Sequence, residues 1–266
     1  MLKRTLAFAA AFIVTTSTAQ FAQTGQQIAP RYLTPPKEIV EAFDAPLLPQ
    51  AILSPSKQVI ALAYRRNYPT IAELSQPILR LAGARVNPKT NGPQRTANIF
   101  AITFKKIADG SEVKVTVPPQ ANLSNIHFSP DGAHLSFLNT KENGIELWIA
   151  DVATGKAKIV SGTDPAPAEP SVPMGPNVIE NYGKAAPAAT YEDMIKTAHD
   201  EALFEYYFTS QLAAITVTSA GKTPIGRPAI FASVTPSPSG EYILVSKIKR
   251  PFSHLIPMSG FPEDIE

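Results

Sequence analysis

Apolar runs of four to eight residues, rich in valine, isoleucine and phenylalanine, alternate along most of this chain with short clusters of proline, glycine, serine and aspartate. Short strands separated by tight turns make such a pattern, which is that of an all-β protein. One phrase recurs. Leu53-Ser54-Pro55-Ser56-Lys57 returns as Phe128-Ser129-Pro130-Asp131-Gly132 and again as Pro236-Ser237-Pro238-Ser239-Gly240, each time followed by an apolar run. Proline presets φ for a turn, aspartate or serine bonds nearby amides, and glycine accepts positive φ, so each copy predicts a corner leading into a strand.

A second phrase lies a strand's length further on. Leu147 to Val160 surrounds Asp151-Val152-Ala153-Thr154-Gly155, and it is echoed from Phe104 to Val117 around Ala108-Asp109-Gly110 and from Ala214 to Ile225 around Ala220-Gly221. These predict strand, glycine turn, strand. Alternation of the two phrases predicts four-stranded units, the blades of a partial β-propeller. Two stretches break the pattern. Pro165 to Pro176 is rich in proline, alanine and glutamate and predicts an extended linker. Thr190-Tyr191-Glu192-Asp193 predicts the start of a helix whose face carries Tyr191, Ile195, Ala198 and Ala202, and Thr70-Ile71-Ala72-Glu73 predicts a shorter helix ending before Pro77.

Composition narrows this picture. With 26 prolines in 266 residues, long helices are excluded over most of the chain. Met1-Leu2-Lys3-Arg4, an apolar run from Leu6 to Val14, and Ser17-Thr18-Ala19 read as a cleavable signal peptide, with cleavage expected after Ala19. The expected location is therefore periplasmic or secreted, with no membrane association after signal cleavage. Without Lys3 and Arg4 the formal charge falls from +2 to zero, which argues against nucleic acid as a partner. The absence of cysteine excludes disulfides and thiol chemistry, and suits passage through an oxidising space. The resulting organisation is a signal peptide at 1–19, an extended or short helical segment at 20–50, blades at 51–163, a linker with a helical insertion at 164–205, and a further, incomplete blade at 206–266.

Candidate chemistry is sparse. The sequence contains no Gly-x-Ser-x-Gly nucleophile elbow, phosphate-binding glycine loop, His-Glu-x-x-His or calcium loop. His127 and His134 flank one predicted hairpin and would have to approach each other to share a metal; two strand residues on either side of a turn is the preferred reading. Glu201 and Glu205, beside His199 and Asp200, have the i, i+4 spacing that would hold a cation, although a solvated acidic helix face is the simpler reading. His254 has no acid or nucleophile close in sequence. Trp148 reads as core, and Arg65, Arg66, Arg80 and Arg85 read as surface ion pairs in preference to a carboxylate-binding cluster. No residue is assigned a catalytic, cofactor-binding or metal-binding role, and no cofactor is expected.

Three blocks of the sequence resemble the prolyl oligopeptidase-type serine peptidases, in their glutamyl-endopeptidase-like branch. The first runs from Tyr32 through Pro35-Pro36 and Leu53-Ser54-Pro55 to Pro69-Thr70-Ile71-Ala72-Glu73-Leu74 and Leu81-Ala82-Gly83-Ala84-Arg85-Val86-Asn87-Pro88. The second is Gly175-Pro176-Asn177 and His199-Asp200-Glu201-Ala202-Leu203-Phe204-Glu205-Tyr206-Tyr207 to Gln211-Leu212, and the third is Arg250-Pro251-Phe252-Ser253 with Phe261-Pro262. The resemblance implies an N-terminal propeller that caps an α/β-hydrolase domain bearing a Ser-Asp-His triad and admits short peptides or unfolded segments. Here the text ends at Glu266 inside what resembles the propeller, so no triad residue carries over. The jump from Thr163 to Asp164-Pro165-Ala166-Pro167 looks like an internal deletion, leaving about three or four blades and strand edges open to partner capture. Two functions are expected from this: a substrate-gating, non-catalytic part of an exported serine peptidase, whose partners are peptides and the missing hydrolase domain, or a stand-alone periplasmic propeller of the TolB type that binds a peptide or protein.

Overall fold

The corners foreseen from the first repeated phrase have one geometry at all three places. The amide of Ser54 donates to Val59 O (2.9 Å), that of Ser129 to His134 O (2.9 Å) and that of Ser237 to Tyr242 O (2.8 Å). The serine hydroxyl takes the amide of the same partner, from Val59, His134 and Tyr242 in turn. The residue three places after each serine has positive φ: Lys57 at 57°, Gly132 at 73° and Gly240 at 75°. The second phrase is as regular. Lys106 N donates to Ser111 O, Asp151 N to Lys156 O and Thr216 N to Gly221 O. Four residues on, Gly110 (70°), Gly155 (69°) and Ala220 (56°) occupy the left-handed region.

The computed structural model describes residues 35–94, 98–162, 168–172 and 191–266, and the predicted leader, most of the linker and the Thr163 to Ala166 junction lie outside them. The chain divides into residues 1–44 and 45–266. The first unit carries one described helix, α1 (Lys37–Asp44). In the second, the elements in order are β1 (Gln50–Leu53), β2 (Val59–Arg65), α2 (Ile71–Leu74), β3 (Leu79–Leu81), β4 (Ala84–Asn87), β5 (Gly92–Pro93), β6 (Ile99–Lys106), β7 (Glu112–Lys114), β8 (Leu123–Phe128), β9 (His134–Lys141), β10 (Gly144–Asp151), β11 (Ala157–Ser161), α3 (Ala198–Phe208), β12 (Thr209–Ile215), β13 (Lys222–Pro236), β14 (Ile243–Ile248) and β15 (Glu263–Ile265). A 3-10 turn at Met258–Gly260 precedes β15.

Two antiparallel meanders follow the phrases: β1-β2-β6-β7 and β8-β9-β10-β11. Their strands pair at Ile99 with Leu123, and they share one core, in which Ala61, Ile102, Phe104, Leu123, Leu135 and Phe137 are buried. A three-stranded sheet, β3-β4-β5, is inserted between β2 and β6. The third four-stranded sheet, β12-β13-β14-β15, is out of phase with the first two. In each meander the Ser-Pro corner joins strands one and two, and the glycine turn joins strands three and four. In the third sheet the glycine turn comes first, between β12 and β13, and the Ser-Pro corner follows, between β13 and β14. The 15-residue β13 therefore ends one repeat and begins the next. The expectation of an all-β chain with short helices holds at that level. The described strands close into no propeller ring.

A second core holds this part together. Phe204 is fully buried, with its ring centroid 4.6 Å from Phe208, 5.0 Å from Phe252 and 5.7 Å from Phe261; Ile195, Ile230, Ile248 and Leu81 surround the group. The helix that carries Phe204 starts later than Thr190 predicts. Thr197 caps α3, its hydroxyl taking the Asp200 amide while the Asp200 carboxylate takes the Thr197 amide. Asp193, expected inside the helix, has φ of 59°, which no right-handed helix accommodates. Its carbonyl accepts from Gly83 N (2.9 Å), and its carboxylate is held by Arg85 Nε (2.7 Å) and Arg80 Nη1 (3.5 Å). Tertiary ion pairs outweigh the local capping pattern there. The Thr70–Glu73 box caps α2 as foreseen, and Glu73 keeps its capping bonds although Arg66 stands 3.5 Å from it.

Candidate functional site

Between the inserted sheet and the ends of β9 and β10 lies a cleft of about 1170 Å³. Side-chain amides dominate its wall: Gln76, Asn87, Gln94, Asn122 and Asn139, with Arg66 beside them. Arg66 Nη2 donates to Asn122 Oδ1 (3.0 Å) and stands 3.5 Å from Glu73 Oε1. Asn139, almost fully buried, accepts from the Asn122 amide (3.1 Å) and donates to Glu146 Oε2 (3.1 Å). Trp148 Nε1 donates to the same carboxylate oxygen (2.9 Å), and Lys141 pairs with its twin. The Glu146 carboxyl consequently titrates below its usual range: burial opposes the charge, but the hydrogen bonds from Lys141, Trp148 and Asn139 together outweigh it.

Two buried atoms of this wall, Arg66 Nε and Gln94 Oε1, have no hydrogen-bond partner. One is a donor and the other an acceptor, so the cleft offers both to a polar guest. No histidine lines it. The wall can bind polar groups. Sequence reading passed over these amides because they come from positions 76 to 139 without a fixed spacing, and only the fold gathers them.

The residues singled out from the sequence scatter. Arg80 and Arg85 serve Asp193, Arg66 lines the cleft, and Arg65 Nη2 approaches Leu48 O (3.4 Å), so ion pairing and loop anchoring account for them without a carboxylate ligand. His127 lies opposite Ser136, and His134 opposite Asp151. Among the described residues no cluster of three or more His, Asp or Glu suits a metal ion. Trp148 stacks on Phe137, with planes 9° apart, as core.

Glu201 and Glu205 do hold a cation, and it is Arg250: Nη1 lies 2.5 Å from Glu201 and Nε 2.7 Å from Glu205. His254 Nε2 lies 2.9 Å from the other oxygen of Glu201. The hydrogen bonds from His254 and then Arg250 pull the Glu201 carboxyl below its ordinary 4.5. A carboxyl with a depressed folded value stabilises fully above the unfolded value and loses that stability as pH falls through the folded one. Glu201→Gln is expected to cost about 1 kcal/mol at neutral pH, as a part-exposed ion pair would. The gap to the unsubstituted chain should shrink to nothing in acid, as read by urea midpoints along a pH series.

These observations define a repeat-built, mostly β chain with a polar binding cleft. No family model matches the chain. Two plant proteins do, each named "Probable glutamyl endopeptidase, chloroplastic". That of Oryza sativa subsp. japonica is 33% identical over 276 residues, covering 88% of this chain and 29% of its own length. That of Arabidopsis thaliana is 30% identical over 275 residues, covering 88% of this chain and 28% of its own. The chain thus spans less than a third of the length of these relatives. Among solved structures, the acylaminoacyl peptidase of Pyrococcus horikoshii aligns over 82% of this chain and 30% of its own, at 15% identity and a TM-score of 0.41. An acylaminoacyl peptidase in complex with Z-Gly-Gly-Phe-chloromethyl ketone aligns over 85% and 33%, at 13% and 0.42. Over 88% of its length the chain is thus a sequence relative of these probable glutamyl endopeptidases.

Proposed function

We propose that this chain is the non-catalytic, substrate-gating propeller portion of an exported serine peptidase, peptide hydrolysis being the work of the complete protein. The observation that carries this reading is the recurrence of two turn geometries, three times each, in the alternation that propeller blades use. A ring of blades admits only what threads its channel, which would select short peptides or unfolded segments for a hydrolase domain behind it. The amide-lined cleft suits such a role, because unpaired donors and acceptors meet the main chain of an extended peptide without demanding one side chain. In this reading the partners are peptide substrates and an α/β-hydrolase domain, and residues 1–19 direct export to the periplasm or beyond.

Two measurements test it. The purified chain is expected neither to hydrolyse peptides nor to react with a serine-directed fluorophosphonate probe; stoichiometric labelling would overturn the non-catalytic assignment. Sequencing the gene through the codon for Glu266 is expected to find an open frame that continues into a Gly-x-Ser-x-Gly hydrolase region. A stop codon there would refute the gating role.

A further inference from the structure

Two side chains of the cleft wall are held in place with a polar atom to spare. Arg66 is fixed at both ends: its amide donates to Asn98 O (2.7 Å) and its Nη2 to Asn122 Oδ1 (3.0 Å). Between those anchors its Nε–H is buried and meets no acceptor among the described residues. Gln94 is fixed at its amide, which donates to Arg85 O (2.8 Å), while its buried Oε1 meets no donor among them. Leaving a buried polar group unmet costs free energy, so a guest that meets both atoms recovers that cost on binding. Anchored groups lose little freedom when they do so.

Charge and shape narrow the guest. Around the cleft Arg66, Lys89 and Lys141 are balanced by Glu73, Glu142 and Glu146, so its lining carries no net charge with which to select an acidic or a basic side chain. Pro93 and Gln94 line this cleft and also a second hollow of about 640 Å³, on the side of Tyr191, Met194 and Pro257. In that hollow Arg85 is already taken up by Asp193 (2.7 Å) and Glu192 (3.6 Å). The two spaces meet at Gln94, which suits an extended guest better than a compact one. A peptide main chain is such a guest, and it offers an acceptor and, except at proline, a donor at each residue whatever the side chain.

We infer that Arg66 and Gln94 together read the main chain of an extended peptide: Nε donates to one peptide carbonyl, Oε1 accepts from one peptide N–H, and the residue supplying that N–H cannot be proline. The exclusion follows from the acceptor. A site built to bond an N–H rejects an analogue that lacks it, because its own group is then left buried and unmet. This inference deepens the gating reading and takes from it that the guest is a peptide. It adds a specificity rule that the side chains of the guest do not set, and two residues that set it.

The test is calorimetric titration of the full chain with a short alanine–serine peptide blocked at both ends, and then with the same peptide N-methylated at one position at a time. The blocked peptide is expected to bind, and N-methylation at one position to weaken it at least about tenfold, the equivalent of one buried hydrogen bond. Gln94→Met, which removes the acceptor, is expected to abolish that penalty, and Gln94→Glu, which keeps one, to retain it; Gln94→Ser replaces the methionine variant if that fails to fold. Arg66→Lys keeps a cation and loses Nε–H, and is expected to weaken every peptide alike at a held thermal midpoint. An N-methyl pattern unchanged by Gln94→Met, or an affinity unchanged by Arg66→Lys, would overturn the inference. Binding only of a peptide with a free terminal carboxylate would also overturn it, since Arg66 would then hold a chain end. No binding at all would do the same and leave the gating role, which needs only a channel, to be decided by the reading frame beyond Glu266.

Discussion

Phe204→Ala is expected to lower stability by about 3–5 kcal/mol, the range for deleting a fully buried phenylalanine. Phe204 is 0% exposed and is the ring on which the second core converges: Phe208 comes from its own helix, Phe252 from the segment after β14, and Phe261 from the turn before β15. Those three rings approach from separated stretches of chain, so little can collapse to fill the space left by the benzyl group. The measurement is a urea titration followed by circular dichroism. Trp148 lies in the other core, so its fluorescence in the same titration reports whether the loss passes from one core to the other. A shift worth less than about 1 kcal/mol, the size of an ordinary surface change, would show that the rings do not form a closely packed cluster.

Gly155→Ala is expected to cost about 3 kcal/mol, and Gly110→Ala about 1 kcal/mol, although both glycines occupy the same place in the same turn with nearly the same φ. The difference is what surrounds them. A Cβ on Gly155 would lie 2.4 Å from Lys114 O and 2.8 Å from Val113 Cγ1, while one on Gly110 meets nothing within 4 Å. Gly155 is where the chain leaving the first meander crosses the last turn of the second, and its carbonyl accepts from Thr116 N (2.8 Å). Alanine there carries the left-handed strain and also pushes apart that crossing. The third copy of the turn already has Ala220 at 56°, which shows that strain alone is tolerable. Thermal melts of the two variants side by side check this, and equal shifts would mean that backbone strain dominates at both positions.

Local chemistry made much of the fold legible. The Ser-Pro corners could be read because each closes within six residues: the serine hydroxyl, the proline φ and the positive-φ residue all act inside one turn. The glycine turns and the Thr70–Glu73 cap are legible for the same reason. Thr190-Tyr191-Glu192-Asp193 looked equally like a helix start, but a helix cap is worth only about 1 kcal/mol, and Asp193 instead meets two arginines more than a hundred positions away. The cleft was illegible because amides have no spacing signature.

What the sequence alone determined about this protein is its alphabet: mostly β, built from two alternating turns, with a family resemblance that the plant relatives bear out. Each of those depends on contacts between near neighbours, which sequence order states directly. The tertiary structure decided the phase and the partners. It showed that one 15-residue strand serves two repeats, that Asp193 closes the inserted hairpin, and that Arg250 fills the Glu201–Glu205 pair. Those outcomes rest on which distant segments meet, and the free energy of such meetings depends on burial and pairing that no local pattern encodes.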